Sequence, residues 1–165
     1  MSFYTDVLMK SPVFKSSAVC KDTMMLEPGT RAAILALLDD ARRQGHDLRI
    51  GETYRSPARQ RVLFSEGYTQ LKNVGCHGYG VACDLNLFDG GKYVADGKAY
   101  AFLADLGKKH GLIWGGDWGE PNKPHSFHDW DHCQRIPVWR QHALFSGQFY
   151  PPEDYDPYKD APLVA

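Results

Sequence analysis

The segment around residues 75–95 most constrains how this chain can fold. Glycines recur through residues 75–80, which predicts a loop with sharp bends. Residues 81–88 then alternate apolar and polar side chains, as a half-buried β-strand does. The triplet Asp89-Gly90-Gly91 is typical of a hairpin turn and predicts a second strand over residues 92–95. An antiparallel hairpin is therefore expected near the centre of the fold.

Helical patterns flank this hairpin. Residues 30–44 carry apolar side chains on one side and end at Gly45, and Ser56-Pro57 is typical of a helix start. The remaining predicted elements are helices over residues 98–110 and 137–145 and strands over residues 48–54, 112–114 and 130–136. This order predicts an α+β fold in which helices pack on a small, mainly antiparallel sheet.

The length of 165 residues suits a single domain with its own core. We assign residues 1–150 to that domain. Residues 151–165 contain four prolines and several acidic residues, which predicts an extended tail.

Composition excludes two classes of partner. Lys and Arg number 19 against 20 Asp and Glu, so the chain lacks the basic field that non-specific nucleic-acid binding requires. No apolar run approaches the roughly 20 residues of a membrane span. Residues 1–15 do not resemble a secretory signal, so we expect synthesis in the cytoplasm with reduced thiols at Cys20, Cys76, Cys83 and Cys133. Their even number leaves pairing after export open.

The densest polar cluster lies in residues 125–132. It contains three histidines and two aspartates: His125, His128, Asp129, Asp131 and His132. Imidazole and carboxylate groups are ligand types that zinc prefers, although a solvated histidine-rich loop has the same composition.

A second candidate group lies about 45 residues upstream, in His77 and Asp84. Gly78 and Gly80 allow the chain to bend between them. His77 is then expected at a loop mouth and Asp84 on the strand behind it.

Together the two groups resemble a known family. The pattern His77-x-x-Gly80-x-Ala82-x-Asp84, followed by Asp129-x-x-His132, is similar to the zinc peptidases that include D-Ala-D-Ala carboxypeptidases and phage L-alanyl-D-glutamate endolysins. The resemblance extends over about residues 25–135. Its further matches are Tyr54-Arg55-Ser56 with Gln60, Leu63 and Gly67, and the segment GLIWGGDW at residues 111–118.

The resemblance implies a role for each matching residue. His77, Asp84 and His132 would bind one Zn²⁺ per chain and leave a coordination position open. Asp129 would be the general base, and Arg55 would stabilise the oxyanion on the scissile carbonyl.

The implied function is hydrolysis of peptidoglycan stem peptides by a monomeric zinc metallopeptidase, a phage-type endolysin that reaches the cell wall after release. The open alternatives are a D-Ala-D-Ala carboxypeptidase and a catalytically silent, zinc-stabilised wall-binding module. The silent module is suggested by hedgehog signalling domains of the same superfamily, which keep the fold but have lost turnover. The presence of both Asp129 and Arg55 favours an enzyme.

Two features complicate the resemblance. The family usually has Ser two residues before its first ligand, where this chain has Gly75, which bears on substrate orientation. Cys76, Cys83 and Cys133 each adjoin a proposed ligand, and we interpret them as small core residues although Cys can itself bind zinc.

A competing interpretation is that His128-Asp-Trp-Asp-His132 imitates the H-E-x-x-H zinc helix. That motif requires several helical turns. Because Pro124 and Pro137 enclose the segment, we rank this interpretation lower.

Overall fold

The computed structural model describes residues 2–162 and centres on one antiparallel sheet. Its strands are β1 (Asp47–Glu52), β2 (Ala82–Asp89), β3 (Lys92–Tyr93), β4 (Ile113–Trp114) and β5 (His132–Gln134). The strand order is β1-β2-β5-β4, and β3 pairs with β2 as the outer arm of the predicted hairpin. The predicted α+β class is confirmed.

Residues 2–162 form four α-helices beside the sheet. They are α1 (Pro28–Arg43), α2 (Pro57–Ser65), α3 (Leu103–Lys109) and α4 (Gln141–Phe145). The side chain of Glu27 begins α1 by accepting hydrogen bonds from the backbone N–H groups of Gly29 and Thr30. Among the helices of residues 2–162, none combines the length and apolar composition of a membrane span.

Short helical turns account for the main differences from the sequence prediction. The helix predicted over residues 98–110 is divided into a 3-10 turn, Gly97–Tyr100, and α3. The division is fixed by Tyr100, whose hydroxyl donates to the carbonyl of Val94 and accepts from the N–H of Leu87. The contacts of Tyr100 with the hairpin thus prevent one continuous helix over residues 98–110.

The N-terminal region also forms turns that the sequence pattern did not predict. They are a π-helical turn, Tyr4–Leu8, and 3-10 turns at Pro12–Lys15 and Thr23–Met25. The hydroxyl and N–H of Thr53 hold this region against the end of β1 by donating to the carbonyl of Cys20.

The main core lies between the sheet and helices α1 and α3. Ile34 and Leu37 from α1 meet Leu85 from β2 and Leu103 from α3, and each of these side chains is fully buried. Burying a side chain of this size contributes about 1.5–3 kcal/mol. The sheet is thereby held rigidly from one face, which leaves its other face to position polar groups.

Cys76, Cys83 and Cys133 are core residues, as predicted. All four cysteines are buried free thiols, and Cys83 and Cys133 lie opposite each other in the core on β2 and β5. Burial raises the pKa of the Cys76 thiol to about 12, so this group is an uncharged packing residue rather than a thiolate.

The segment predicted as an extended tail lies against the domain through residue 160. The buried guanidinium of Arg135 donates to the carbonyls of Pro152 and Glu153, and its other nitrogen pairs with Glu27 at 2.6 Å. Tyr158 donates to the carbonyl of Leu112. A buried cation needs acceptors, and this segment supplies them.

We expect Glu27→Gln to destabilise the fold by about 3–5 kcal/mol, because the Arg135 charge would remain buried without its counter-charge. Both side chains are only 4% exposed. Denaturant unfolding with saturating zinc measures this change. The control is Asp39→Asn, which removes a surface pair on α1 and should cost at most about 1 kcal/mol. Equal small losses in the two variants would contradict a stabilising buried pair.

Candidate metal centre

The sheet register sets three acidic and imidazole side chains in a row. Glu52 on β1 is the partner of Asp84 on β2, and Asp84 is the partner of His132 on β5. Directly opposed residues on neighbouring strands have adjacent side chains. Because Cys83 and Cys133 face the core, this polar row lies on the opposite face of the sheet.

His77 is brought over this row by a tight turn. It lies in the 3-10 turn Cys76–Tyr79, which ends at Gly80 in the left-handed conformation with φ 71°. A β-carbon at Gly80 would also lie 3.0 Å from the carbonyl of Met25. Glycine is therefore required there both for the bend and for the close approach, and the predicted bend before Asp84 is observed.

The three predicted ligands form a compact triangle. His77 Nε2 lies 3.1 Å from Asp84 Oδ1 and 3.2 Å from His132 Nδ1, and the remaining side is 3.3 Å. Tetrahedral ligands about 2.0–2.1 Å from zinc are separated by about 3.3–3.4 Å. The observed triangle fits zinc, and it is the one such group of three found within residues 2–162.

Hydrogen bonds fix both imidazoles in the tautomer that a metal requires. His77 Nδ1 donates to the carbonyl of Thr53 at 2.7 Å, and His132 Nε2 donates to Gln134 Oε1 at 2.8 Å. The lone pairs of the other ring nitrogens are therefore directed at the centre of the triangle. Gln134 is itself oriented, since its amide nitrogen donates to the carbonyl of Ile136.

The charges at the site suit a cation. Burial alone would raise the pKa of Asp84, but His77, His132 and Arg55 together hold it well below its usual range. Burial lowers the pKa of His132, whereas the Asp84 and Asp129 carboxylates raise it, to about 9 on balance. Because a ligand imidazole must be neutral, zinc and a proton compete for His132 and metal affinity should increase with pH.

Arg55 is fixed beside the triangle. Its Nη2 donates to Asp84 Oδ2 at 2.6 Å and its Nε donates to Glu52 Oε2 at 3.0 Å. Glu52 also accepts from Arg59. Arg55 also lines the adjoining cleft, and a guanidinium carries further N–H donors beyond these two contacts.

Asp129 faces the same space as the ligands. Gly115 allows its approach, because a β-carbon at Gly115 would collide with the backbone of Asp129. Asp129 Oδ2 lies 4.0 Å from His132 Nδ1, and its side chain is 41% exposed. Its neighbour Asp131 is more enclosed, and burial together with the charges of Asp84 and Asp129 raises the pKa of Asp131 to about 8.

The other histidines of the polar cluster lie away from the triangle. His128 stacks on Trp130 with ring centroids 4.5 Å apart, and its Nδ1 donates to the carbonyl of Gly116. His125 donates to the carbonyl of Glu120. Residues 115–131, all of them described, form turns and loop. The H-E-x-x-H interpretation is therefore wrong, since it needs a helix that carries both His128 and His132.

We expect His128→Ala to leave zinc content and hydrolysis close to the wild-type values, because only packing on Trp130 and one loop hydrogen bond are lost. Metal analysis and hydrolysis on the same samples test this. A His128→Ala protein without bound zinc would support the competing interpretation, in which His128 is a ligand.

Two supporting residues were not identified from the sequence. Gln134 lies two positions after His132 on the same strand, so strand alternation places both on one face. That spacing was an available signal. Glu52 had no comparable signal, because its place in the row depends on an irregular register between Ile50 and Glu52.

Gly75 has a local explanation in the structure. Its backbone is extended, and a β-carbon there would lie 3.3 Å from Gln60 Oε1. Gln60 is buried, and its amide nitrogen donates to the carbonyl of Leu71. The Gln60 carboxamide therefore borders the cleft beside Gly75.

The triangle opens into a cleft of about 1190 Å³. Its walls come from α2 with residues 67–71, from residues 118–127, and from residues 137–139 with part of the C-terminal segment. Arg55 is the only Arg or Lys among the described residues that line it. The cleft thus combines apolar walls with a polar floor, as substrate sites do.

A buried His-Asp-His triangle that fits zinc, with an exposed carboxylate and an arginine beside it, is a candidate zinc site with the groups that metal-assisted hydrolysis uses. Residues 70–134 match the profile of a peptidase family described as D-alanyl-D-alanine carboxypeptidase. The matched residues include all three candidate ligands and Asp129. No curated protein matches the chain.

Solved structures share the fold. The L-Ala D-Glu endopeptidase ChiX of Serratia marcescens is 23% identical, with 73% of this chain and 86% of that one covered and a TM-score of 0.57. The LD-carboxypeptidase LdcB is 19% identical over 74% and 71% of the two chains, with a TM-score of 0.53. The D,D-pentapeptidase VanY from a VanB-type resistance cassette, solved with Zn(II), is 16% identical over 73% and 78%, with a TM-score of 0.51.

The predicted resemblance is confirmed by the family match and by these neighbours. They also support the prediction of a zinc-dependent peptidase.

Proposed function

We propose that this chain is a zinc-dependent peptidase of bacterial peptidoglycan that cleaves the L-alanyl-D-glutamate bond, in the manner of a phage-type endolysin. The observation that carries the proposal is the ligand triangle of His77, Asp84 and His132 with Asp129 at its open side. The choice of bond follows the L-Ala D-Glu endopeptidase ChiX, one of the solved structures that share the fold.

His77, Asp84 and His132 would hold the zinc ion. When bound, zinc would polarise the substrate carbonyl and lower the pKa of a water molecule. Thr53 and Gln134 keep the two imidazoles oriented for this task, and the Arg55 contact fixes the carboxylate of Asp84.

Asp129 would move the protons. Its carboxylate is exposed to the cleft on the side of His132, where it can take a proton from the attacking water and pass it to the leaving amine. Arg55 would place its remaining N–H donors and positive charge beside the carbonyl oxygen, where negative charge develops.

A D-Ala-D-Ala carboxypeptidase is the second candidate, favoured by the description of the matching family. Such an enzyme must bind a free terminal carboxylate, for which a cationic donor is the usual partner. The cleft offers Arg55 alone among its described Arg and Lys residues, and the mechanism above assigns the N–H groups that Arg55 does not share with Asp84 and Glu52 to the scissile carbonyl. This charge distribution favours cleavage inside a stem peptide over removal of its terminal residue.

Mass analysis of fragments from purified peptidoglycan tests the proposal. Cleavage after L-alanine releases peptides that begin with glutamate, whereas a carboxypeptidase releases single D-alanine residues. Released D-alanine alone would select the second candidate. A zinc-loaded wild-type protein that cleaves nothing would favour the binding module.

A further inference from the structure

Trp118 is held in an unusual backbone conformation at the cleft. Its φ of 53° is the one positive φ of a non-glycine residue within residues 2–162. A bulky residue reaches this region at an energetic cost, and such strain persists where surrounding contacts fix it, often at functional sites. Here the indole N–H donates to the carbonyl of Phe127 at 3.1 Å.

Trp118 and Phe127 form what we call the aromatic platform. Their rings are stacked, with centroids 6.0 Å apart and an interplanar angle of 18°. At its inner end, the Trp118 ring lies 5.7 Å from the ring of the ligand His132. At its outer end, Phe127 is 54% exposed, and both residues line the cleft. The platform thus runs from the metal centre toward solvent.

Core packing does not explain this pair. Trp114 and Trp130, in the same part of the chain, pack in or against the main core, and the Trp114 N–H donates to the carbonyl of Trp130. Phe127 instead presents an apolar ring to solvent while its backbone carbonyl holds Trp118. An exposed apolar surface continuous with a substrate cleft is typical of a binding surface.

We propose that the aromatic platform binds the sugar ring of peptidoglycan nearest to the scissile bond. This inference rests on the proposed function and names part of its substrate. Aromatic faces are large and rigid, with negative potential at the ring face, and they suit the C–H face of a pyranose.

Chain length explains why a sugar would lie so close to the ligands. The first residue of a stem peptide is joined to its sugar through a lactyl group. One residue extends at most about 3.6 Å and the lactyl group adds a comparable length, so cleavage after that residue keeps the sugar near the metal centre. Cleavage at the far end of the stem would leave the sugar several residues away, and an aromatic surface next to His132 would have no sugar to meet.

The test compares one stem peptide with and without its attached disaccharide. We expect Phe127→Ala to raise KM for the sugar-bearing substrate by about 2–10-fold, the range for loss of one aromatic contact, and to leave the free peptide unchanged. Phe127→Tyr keeps the ring and should restore the wild-type KM. The matched control is Tyr93→Ala, whose side chain is also 54% exposed but lies on β3 outside the cleft.

Zinc content is measured in every variant. Equal KM changes for the two substrates, or none for either, would overturn the sugar assignment. Tryptophan fluorescence with peptide-free glycan chains gives an independent measurement, in which wild type should bind and Phe127→Ala should bind more weakly. If wild type cleaves neither substrate, the proposed function fails, and this titration alone decides whether the platform binds sugar.

Discussion

Asp129→Asn should lower kcat on peptidoglycan by about 10²–10⁴-fold while zinc content and folding stay at wild-type values. Asparagine keeps the shape of the side chain but cannot accept a proton as a base. Asp129 is 41% exposed and lies 4.0 Å from a ligand nitrogen, so its replacement removes no buried contact of the core. Turnover, bound zinc and thermal unfolding are measured on the same samples.

Two comparisons make this result specific. Asp39→Asn changes an aspartate of similar exposure, 48%, on the surface of α1, and should leave turnover unchanged. If Asp129 only orients His132, metal affinity should fall by about 10–100-fold and turnover should recover at saturating zinc. An Asp129→Asn protein with wild-type turnover would remove Asp129 from the mechanism.

His132→Ala should reduce bound zinc from about one ion per chain to almost none and abolish hydrolysis. His132 Nδ1 is one corner of the ligand triangle, and Ala offers no replacement donor. Metal analysis after purification without added metal provides the measurement. A protein that keeps its full zinc would exclude His132 as a ligand.

Gln134→Ala should weaken zinc binding less than His132→Ala does. It keeps all three ligands but removes the acceptor for His132 Nε2. We expect zinc affinity to fall by about 10–100-fold, between the wild type and His132→Ala. His110→Ala changes a histidine paired with Asp40, remote from the triangle, and should leave zinc unaffected.

The sequence predicted the elements better than their pairing. The hairpin, the helix cap at Ser56 and the bend before Asp84 all depend on local rules of turn and cap chemistry, and each is present. The helix over residues 98–110 was divided because Tyr100 bonds to the hairpin, which is a tertiary contact that no local pattern reports.

The candidate site shows the same contrast between features that the sequence predicts and features that depend on tertiary contacts. His77, Asp84 and His132 were implied as ligands by the family resemblance, and the structure brings them together. The places of Glu52 and Gln134 follow from strand register and from side-chain direction on β5, which are set only when the sheet forms. Arg55 was predicted as an oxyanion donor, and its fixed contacts with Asp84 and Glu52 became visible only in the structure.

The contacts of Arg135 join the C-terminal segment to the folded domain. Arg135 follows β5, the strand that carries His132, and its guanidinium reaches Glu27 before α1 and two carbonyls beyond residue 150. Asp160 pairs with Arg140 through two hydrogen bonds. A chain shortened to residue 150 would keep every candidate ligand and the Glu27 counter-charge, yet lose two carbonyl acceptors of a buried cation beside the ligand strand. We therefore expect the smallest stable form of the domain to extend to Asp160.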